Sequence, residues 1–513
     1  MFRLSVGYLR SLNGRQIVLL STLQSAVKTV PSATPPSFPG MDNTPSAKPS
    51  QVFHWLGRYA PAFCLCGSQV SILHHPSDFY EYLVSSSKRF TKRAVLSALY
   101  LGTGTQEETL IAALRSRCDE LHASNSSFNV RVLLDHQRGS RGEKNSRTML
   151  LPLLREYERQ VNVALFHTPD LRGVWKTHVP ERWNEIVGLL HMKVAVFDDD
   201  VLITGANLSD QYFVNRQDRY VLIRDAPELA NFFESLVQGV SDVSFMLTPE
   251  DEVKLASEDS AHPYEGERAL YVEAAKDTVR QAYALYPPTQ KFAAGPQVPL
   301  EKADTWVYPL CQMRQFDVRK DEKATEEILS TVPEGTTIHL ASGYFNLTRS
   351  YRQLILNQKQ ASYHILMASP KANGFFNAEG ASGHVPAMYV QIARTFFDAI
   401  HSGAQQHRIK LYEYYRDKWT YHVKGLWATL KGQKNPCLTL VGSPNFGYRS
   451  VNRDIEAQIA VVTENVDLQK RLAEERDRLY ESGEFLAEET FAREDHVVPW
   501  TVRLSWRWIK NFF

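Results

Sequence analysis

His191-Met-Lys193-Val-Ala-Val-Phe-Asp198 and His422-Val-Lys424-Gly-Leu-Trp-Ala-Thr429 are two short segments that place a histidine and a lysine at the same spacing. Both segments are mainly apolar, which predicts buried strands. Because alternate side chains of a strand point to the same side, each histidine shares a face with its lysine. Apposing the two segments would gather two imidazole and two ammonium groups around one point.

A turn containing glycine and asparagine follows each segment, and an acidic residue follows each turn at a fixed distance. The turns are Gly205-Ala-Asn207 and Gly442-Ser443-Pro-Asn445. Asp218 stands eleven residues after the first asparagine, and Glu456 stands eleven residues after the second. The matching offset indicates that the chain contains an internal repeat.

Other apolar segments recur in the same order in both parts of the chain. Residues 92–101 correspond to 336–347, 130–135 to 363–368 and 161–166 to 409–414, with amphipathic helices predicted near 226–240 and 466–481. Short apolar strands that alternate with helical patterns are typical of an α/β layered fold. The sequence therefore predicts a duplicated α/β domain.

The predicted division of the chain follows the repeat and the changes in composition. Prolines between residues 31 and 49 and between 287 and 299 favour linkers there. We expect a transit peptide and linker (1–50), a first half with the His191 motif (51–250), a connecting segment (251–305), a second half with the His422 motif (306–490) and an aromatic and basic C-terminal segment (491–513).

The two ends of the chain differ from the rest in composition. Residues 1–41 contain no acidic residue and several arginines, which is typical of a mitochondrial transit peptide, although a disordered tail is the alternative. Residues 500–513 mix aromatic and basic side chains, which favours peripheral contact with a membrane surface over packing against the core. No run of 18 apolar residues occurs, so we expect no transmembrane helix.

The gathered residues suit phosphodiester chemistry. One neutral histidine can attack phosphorus while the other, protonated, donates to the leaving oxygen. The two lysines and the amides of Asn207 and Asn445 can hold the non-bridging oxygens. Asp218 and Glu456 can accept hydrogen bonds from the inner nitrogens of the histidines and fix their tautomers. The five cysteines are scattered and form no zinc pattern, so we expect no metal or other cofactor in the chemical step.

Together the motifs resemble the signature of the phospholipase D superfamily, H-x-K-x4-D followed by G-S-x-N. The resemblance implies an α/β fold with two mixed sheets flanked by helices and one active site between the halves. It implies catalytic roles for His191, Lys193, Asp198, His422 and Lys424, and a phosphate pocket made of Asn207, Ser443 and Asn445.

Two departures from the signature separate the halves. Thr429 stands where the signature has aspartate, and the first turn lacks the serine that the second turn has in Ser443. Unequal halves suggest unequal roles. We assign His191 as the nucleophile and His422 as the general acid, although the motifs alone do not fix this order.

Longer stretches resemble the family of eukaryotic mitochondrial phosphatidylglycerophosphate synthases more closely. These stretches are residues 138–154, 205–220 and 442–460. The resemblance implies that CDP-diacylglycerol and glycerol 3-phosphate are converted to phosphatidylglycerophosphate and CMP through a phosphatidyl-histidine, on the way to cardiolipin. It also implies a mitochondrial location, which we expect to be the matrix face of the inner membrane.

Two loops of the first half are candidates for substrate contacts. Four cations lie in the loop after the second strand, where they would receive the phosphates of either substrate, or would simply be solvated: Arg138, Arg141, Lys144 and Arg147. The turn that ends the first strand is a candidate nucleotide contact or a plain strand-end turn, and comprises Ser97, Gly102, Thr103 and Gly104. In the second half, residues 369–382 hold an apolar Gly374-Phe375-Phe376, which we expect to face acyl chains.

Two other functions compete with the transferase. A phosphodiesterase or nuclease of the same superfamily would hydrolyse its substrate, but a net charge of +1 and the lack of a long basic stripe argue against nucleic acid as a partner. A binding module without catalysis is the second, and the two intact histidine–lysine pairs argue against it.

Overall fold

The computed structural model describes residues 47–178, 187–293 and 299–509. The predicted transit peptide lies outside the described residues, as do the last four residues of the predicted C-terminal segment. Within the described residues, no helix combines the length and apolar character needed to cross a bilayer.

Strands and helices alternate through both halves. The strands are β1 (Ala62–Leu65), β2 (Val70–Leu73), β3 (Arg93–Ser97), β4 (Asn129–Asp135), β5 (Val161–Phe166), β6 (Val194–Phe197), β7 (Asp200–Thr204), β8 (Arg216–Gln217), β9 (Tyr220–Ile223), β10 (Phe245–Leu247), β11 (Val253–Leu255), β12 (Lys291–Ala293), β13 (Thr305–Met313), β14 (Val318–Arg319), β15 (Thr337–Ser342), β16 (Ser362–Ala368), β17 (Ile409–Tyr414), β18 (Thr420–Tyr421), β19 (Lys424–Thr429), β20 (Leu438–Gly442), β21 (Glu456–Thr463) and β22 (Gly483–Phe485).

The helices pack on the outer faces of the sheets and between the halves. The α-helices are α1 (Pro49–Val52), α2 (Pro76–Ser87), α3 (Thr105–Ala123), α4 (His136–Gly139), α5 (Ser146–Glu156), α6 (Gly173–His178), α7 (Asp210–Val214), α8 (Pro227–Ser241), α9 (Arg268–Ala284), α10 (Lys320–Thr331), α11 (Arg349–Asn357), α12 (Val385–Ser402), α13 (Tyr448–Asn452), α14 (Val466–Glu481) and α15 (Trp500–Ile509).

Two large mixed sheets repeat the same strand order. The first runs β11-β10-β5-β4-β3-β6-β7-β9-β2, and the second runs β12-β1-β13-β21-β20-β19-β15-β16-β17-β22 with β14 beside β13. In each, three neighbouring strands are parallel (β3–β4–β5 and β15–β16–β17), and the strand that follows each histidine joins them antiparallel. The predicted α/β fold and its duplicated strands are confirmed. The two amphipathic helices predicted near 226–240 and 466–481 are also confirmed, as α8 and α14.

One strand departs from the predicted division of the chain. β1 lies within the predicted first half, yet it pairs with β13 and β12 at the edge of the second sheet. The connecting segment is divided in the same way, because β11 joins the first sheet and β12 the second. Sheet membership therefore does not change cleanly at residues 51, 251 and 305.

The two sheets share one apolar core between their inner faces. Along β6, Val194 and Val196 enter this shared core, while Ala195 and Phe197 enter the core under the helices of the first half. This alternation is the period-2 pattern of a strand buried on both faces. The shared core also holds Ile459 of β21, so the packing that builds each half also fixes the halves together.

A buried ion pair adds a polar tie between the halves. Arg219, 1% exposed, donates to both carboxylate oxygens of Glu475 in α14 at 2.8 Å, and also to the Leu440 carbonyl at 2.7 Å. Its guanidinium lies 3.9 Å from the centre of the Trp427 ring. A buried charge with full hydrogen bonding is tolerated, but the loss of one partner leaves the other uncompensated.

We predict that Arg219→Ala lowers the free energy of unfolding by about 3–5 kcal/mol, because Glu475 would be left as an unpaired buried charge. Arg115→Ala is the matched control, since its pair with Glu156 is exposed and is worth less than about 1 kcal/mol. Thermal and urea unfolding of both variants measure the difference. Equal, small losses would show that Arg219 does not tie the halves.

Candidate active site

Two backbone contacts between the halves place the histidines. The N–H of His191 donates to the Ile455 carbonyl at 2.8 Å, and the N–H of His422 donates to the Gln217 carbonyl at 2.9 Å. In both cases the carbonyl belongs to the residue just before the acidic residue of the opposite half. The register of these short parallel pairings, Leu190 with Ile455 and β18 with β8, therefore decides which acid reaches which ring.

Each imidazole is hydrogen-bonded to a carboxylate from the other half. His191 Nδ1 lies 2.9 Å from Glu456 Oε2, and His422 Nδ1 lies 2.6 Å from Asp218 Oδ2. Both predicted orienting acids thus contact a histidine, and the pairs cross between the halves. With Nδ1 engaged, the outer nitrogen Nε2 of each ring is the one directed to chemistry.

The two lysines lie beside the histidines and are buried. Lys193 Nζ donates to the His191 carbonyl at 2.7 Å, and Lys424 Nζ lies 3.6 Å from Asp218 Oδ2. Burial lowers the pKa of Lys193 to about 7 and that of Lys424 to about 8. A phosphodiester bound between them would stabilise their charged form, since opposite charges favour ionisation.

Burial also sets the charge of the histidine–acid pairs. The pKa of His191 falls well below its usual value through burial and then through the charge of Lys193. The pKa of His422 falls through burial and then through Lys424. Burial raises the pKa of Asp218 to about 6 and raises that of Glu456. The free site therefore favours neutral imidazoles, the form that a nucleophile requires, and an anionic substrate would help the second ring to hold a proton.

The predicted phosphate-pocket residues divide into two kinds. Asn207 and Asn445 each have a buried amide oxygen without a hydrogen-bond partner among the described residues. The Asn207 amide nitrogen donates to the Tyr212 hydroxyl at 3.1 Å. An amide offers both donors and an acceptor, so the two asparagines keep polar groups for a ligand. Ser443 instead bonds the backbone of Ala457, which makes its role structural.

The absent serine of the first turn has a packing reason. A Cβ atom on Gly205 would lie 2.5 Å from the Asp218 carboxylate, so a side chain there would displace the orienting acid. Thr204, one residue earlier, donates its hydroxyl to the Arg219 carbonyl at 2.7 Å. It thus makes in the first half the backbone contact that Ser443 makes in the second.

The structure corrects the predicted catalytic role of Asp198. Asp198 follows β6 at the end remote from Lys193, and the five residue steps from Lys193 to Asp198 span about 16 Å along an extended chain. Its carboxylate accepts backbone N–H bonds from Thr91 and Lys92, and it adopts a left-handed φ of 52° in the turn to β7. Asp198 therefore holds a turn, which explains why Thr429 can occupy the matching position.

The cations of the basic loop have partners of their own. Lys144 pairs with the exposed Glu108 at 2.8 Å, and Arg147 donates to Asp251 at 2.6 Å, so substrate binding is not supported for these two. Arg138 lies 4.7 Å from the centre of the Tyr100 ring. Substrate binding by Arg138 and Arg141 stays a prediction.

The glycine turn after β3 is filled by acidic side chains. A Cβ atom on Gly102 would lie 2.1 Å from Glu107 Oε1, and one on Gly104 would lie 2.0 Å from Asp210 Oδ2. Ser97, within β3, donates to the Met192 carbonyl at 3.2 Å. The structure therefore favours the plain strand-end turn for Ser97, Gly102, Thr103 and Gly104 over a nucleotide contact.

Several residues of the site were missed by the sequence analysis. The Tyr212 hydroxyl lies 3.3 Å from His422 Nε2, and the Tyr344 ring stands edge-on to the His422 ring at 5.5 Å. Arg216 lies over Tyr212 with its guanidinium 4.7 Å from the ring centre. A usable signal was the position of Arg216 two residues before Asp218, which places both side chains on the same side of an extended segment.

His191, Asp454 and Glu456 form a candidate cation site, with one ligand atom from each within 4.8 Å of the others. Asp454 accepts from the Leu189 N–H at 3.0 Å and pairs with Arg449 at 3.0 Å. Both carboxylates therefore already have protein partners. The expected absence of a metal from the chemical step stays a prediction.

Proteins of known name resemble this chain in sequence and in fold. No protein-family model matches the chain. The mitochondrial CDP-diacylglycerol–glycerol-3-phosphate 3-phosphatidyltransferases of Bos taurus and Homo sapiens are each 45% identical over 481 residues, which cover 90% of this chain and 86% of theirs. The Saccharomyces cerevisiae protein named CDP-diacylglycerol–glycerol-3-phosphate 3-phosphatidyltransferase is 30% identical over 436 residues, covering 80% of this chain and 81% of its own.

A solved structure supports the fold independently. Phosphatidylserine synthase from Haemophilus influenzae superposes with a TM-score of 0.65 over 91% of this chain and 100% of its own, at 17% sequence identity. At that identity the likeness bears on the fold alone.

We predict that Glu456→Gln lowers kcat by roughly 10²- to 10⁴-fold, because a neutral amide no longer fixes the His191 tautomer or stabilises its charged form. Asp218→Asn should act in the same way through His422. Steady-state kinetics measure both losses.

Asp198→Asn is the matched control, since asparagine tolerates the left-handed turn. It should keep kcat but lower the thermal midpoint, because its bonds to the backbone N–H groups of Thr91 and Lys92, just before β3, weaken. Loss of kcat in a folded Asp198→Asn protein would restore the catalytic role that the structure removes.

Proposed function

This chain belongs to the CDP-diacylglycerol–glycerol-3-phosphate 3-phosphatidyltransferase family, and we propose on that premise that it transfers a phosphatidyl group from CDP-diacylglycerol to glycerol 3-phosphate. The observation that carries the proposal is the crossed arrangement of His191–Glu456 and His422–Asp218 around two buried lysines. The relatives are named as transferases, which does not favour the phosphodiesterase or nuclease alternative.

The first step forms a covalent intermediate on His191. Its Nε2 lone pair attacks the phosphorus that carries diacylglycerol, the bond from this phosphorus to the CMP oxygen breaks, and protonated His422 gives its proton to CMP. Among the described residues, no partner is recorded for His191 Nε2, whereas His422 Nε2 lies 3.3 Å from the Tyr212 hydroxyl. This difference supports His191 as the nucleophile.

The second step releases the product. Neutral His422 takes the proton of the 1-hydroxyl of glycerol 3-phosphate, whose oxygen attacks the same phosphorus as the bond to His191 breaks. Phosphatidylglycerophosphate leaves and both histidines return to their starting state. Lys193 and Lys424 stabilise the negative charge on the non-bridging oxygens in both steps. No step requires a metal ion or another cofactor, and nucleic acid is not a substrate.

A membrane surface is the proposed source of the lipid substrate. Phe375 and Phe376 are 37% and 42% exposed, and Phe375 lies 6.0 Å from the Tyr344 ring, which in turn contacts His422. On α15, Trp500 and Leu504 are 72% and 69% exposed. Exposed aromatic side chains near a site for lipid suit the interfacial region of a bilayer.

The relatives named mitochondrial support a mitochondrial location for this chain. The finer proposal is peripheral attachment at the matrix face of the inner membrane. The predicted transit peptide at residues 1–41 is consistent with import to that compartment.

We predict that the purified protein converts CDP-diacylglycerol and glycerol 3-phosphate to phosphatidylglycerophosphate with one CMP per product, and that EDTA does not change the rate. His191→Ala and His422→Ala should each lower kcat by about 10³-fold or more, because each removes a group that makes or breaks a bond. Lipid products are identified by mass spectrometry, with serine as a competing acceptor.

The exposed His54 supplies the control variant, His54→Ala, which should keep full activity. When the substrate is labelled at the phosphorus that carries diacylglycerol, the label should remain on the protein after an alkaline quench. The label should be lost in acid, as a phosphoramidate requires. Formation of phosphatidylserine, or of phosphatidic acid with no transfer to an acceptor, would contradict the proposal. Loss of activity in EDTA would contradict the part of it that needs no metal ion.

We predict that replacing both Phe375 and Phe376 with serine, or both Trp500 and Leu504, weakens binding to vesicles of phosphatidylcholine and phosphatidylglycerol, because each change removes apolar surface from the membrane contact. Co-flotation of the full chain with the vesicles measures the effect. Replacing the exposed Leu285 and Val466 with serine removes similar surface elsewhere and serves as the control. Equal flotation of all variants would show that neither pair of residues contacts the membrane.

A further inference from the structure

Arg216 is a half-buried cation of the site without a carboxylate partner among the described residues. Its Nε donates to the Thr420 hydroxyl at 3.0 Å, and its guanidinium lies over the Tyr212 ring. Other arginines around the histidines are neutralised, Arg219 by Glu475 and Arg449 by Asp454. A guanidinium removed from water without a counter-charge is costly, so Arg216 is suited to an anion that arrives with the substrate.

A second hydrogen-bond donor lies close to the Arg216 guanidinium, beside Gly374. A Cβ atom on Gly374 would lie 3.3 Å from Arg216 Nη2 and 3.2 Å from the Tyr344 hydroxyl. Two hydrogen-bond donors therefore converge beside a residue that has no side chain. Guanidinium and hydroxyl groups together match the oxygens of a phosphate monoester.

The two halves differ in charge at this position. Arg216 stands nine residues after Asn207, and the residue nine after Asn445 is the acidic Asp454. The duplicated site thus has an unpaired cation on the His422 side and a paired acid on the His191 side. This asymmetry matches two different tasks for the two sides.

The distance from His422 distinguishes the two phosphates that could reach Arg216. The Tyr212 side chain contacts both Arg216 and the His422 ring, with its hydroxyl 3.3 Å from Nε2. The CMP phosphorus is bonded directly to the oxygen that His422 protonates, so this phosphate must lie against the ring itself. In glycerol 3-phosphate, three carbons separate the reacting hydroxyl from the phosphate, which places the phosphate one side chain further away.

We propose that Arg216 binds the phosphate group of the acceptor and selects glycerol 3-phosphate over acceptors that lack a phosphate. The inference rests on the proposed function and adds a specificity residue to it. Arg216 holds the far end of the acceptor while His422 takes the proton at the near end.

The test compares the full chain with Arg216→Gln, Arg216→Lys and Lys144→Gln. Lys144→Gln is matched in charge and removes a cation already paired with Glu108. Titration calorimetry without CDP-diacylglycerol measures binding of glycerol 3-phosphate and, separately, of CMP. Kinetics then give KM for each substrate, and thermal midpoints confirm that the variants are folded.

We predict that Arg216→Gln weakens binding of glycerol 3-phosphate and raises its KM by about 10- to 100-fold, the value of a charged hydrogen bond. CMP binding and the KM for CDP-diacylglycerol should not change, Arg216→Lys should recover part of the loss, and Lys144→Gln should match the wild type. Unchanged binding of glycerol 3-phosphate, or an equal loss of CMP binding, would overturn the inference. Because binding is measured without turnover, this result is separate from a failure to form phosphatidylglycerophosphate.

Discussion

The crossed hydrogen bonds between each histidine and the acid of the opposite half are the constraint on which the site depends. Neither half has a complete catalytic group, because the acid that orients its histidine is supplied by the other. The bonds form only if the backbone pairings at Ile455 and Gln217 keep their register, since a slip by one residue turns the acid to the other side. The shared core and the Arg219–Glu475 pair hold that register.

The reciprocal contact is that of a twofold symmetric dimer, in which residue i of one copy meets residue j of the other and the reverse. Because the two copies are parts of one chain, their sequences can differ from each other. Gly205 corresponds to Ser443 in the other half, and Arg216 corresponds to Asp454. The two sides of a formally symmetric site therefore differ in chemistry. A reaction with a nucleophile on one side and an acid–base group on the other uses that freedom.

The sequence predicted the fold well because the apolar periodicity of the strands is local and occurs twice. It also identified the histidines, lysines and acids that the structure brings together. It misjudged Asp198, because a motif records which residues recur but not whether they recur for chemistry or for a turn. It missed Tyr212, Tyr344 and Arg216, because these side chains reach His422 through contacts between distant segments. The partners of Lys144 and Arg147 were hidden for the same reason, since charge in a loop does not reveal what neutralises it.

The place of β1 in the second sheet has a consequence for synthesis of the chain. This strand leaves the ribosome about 240 residues before its partner β13, the separation between residues 65 and 305. At about 5–20 residues per second, it waits roughly 10 to 50 seconds without the neighbour that completes its hydrogen bonds. All four of its residues are buried in the finished fold. During that interval the nascent chain presents an unpaired apolar edge, and this early exposure follows from the topology itself.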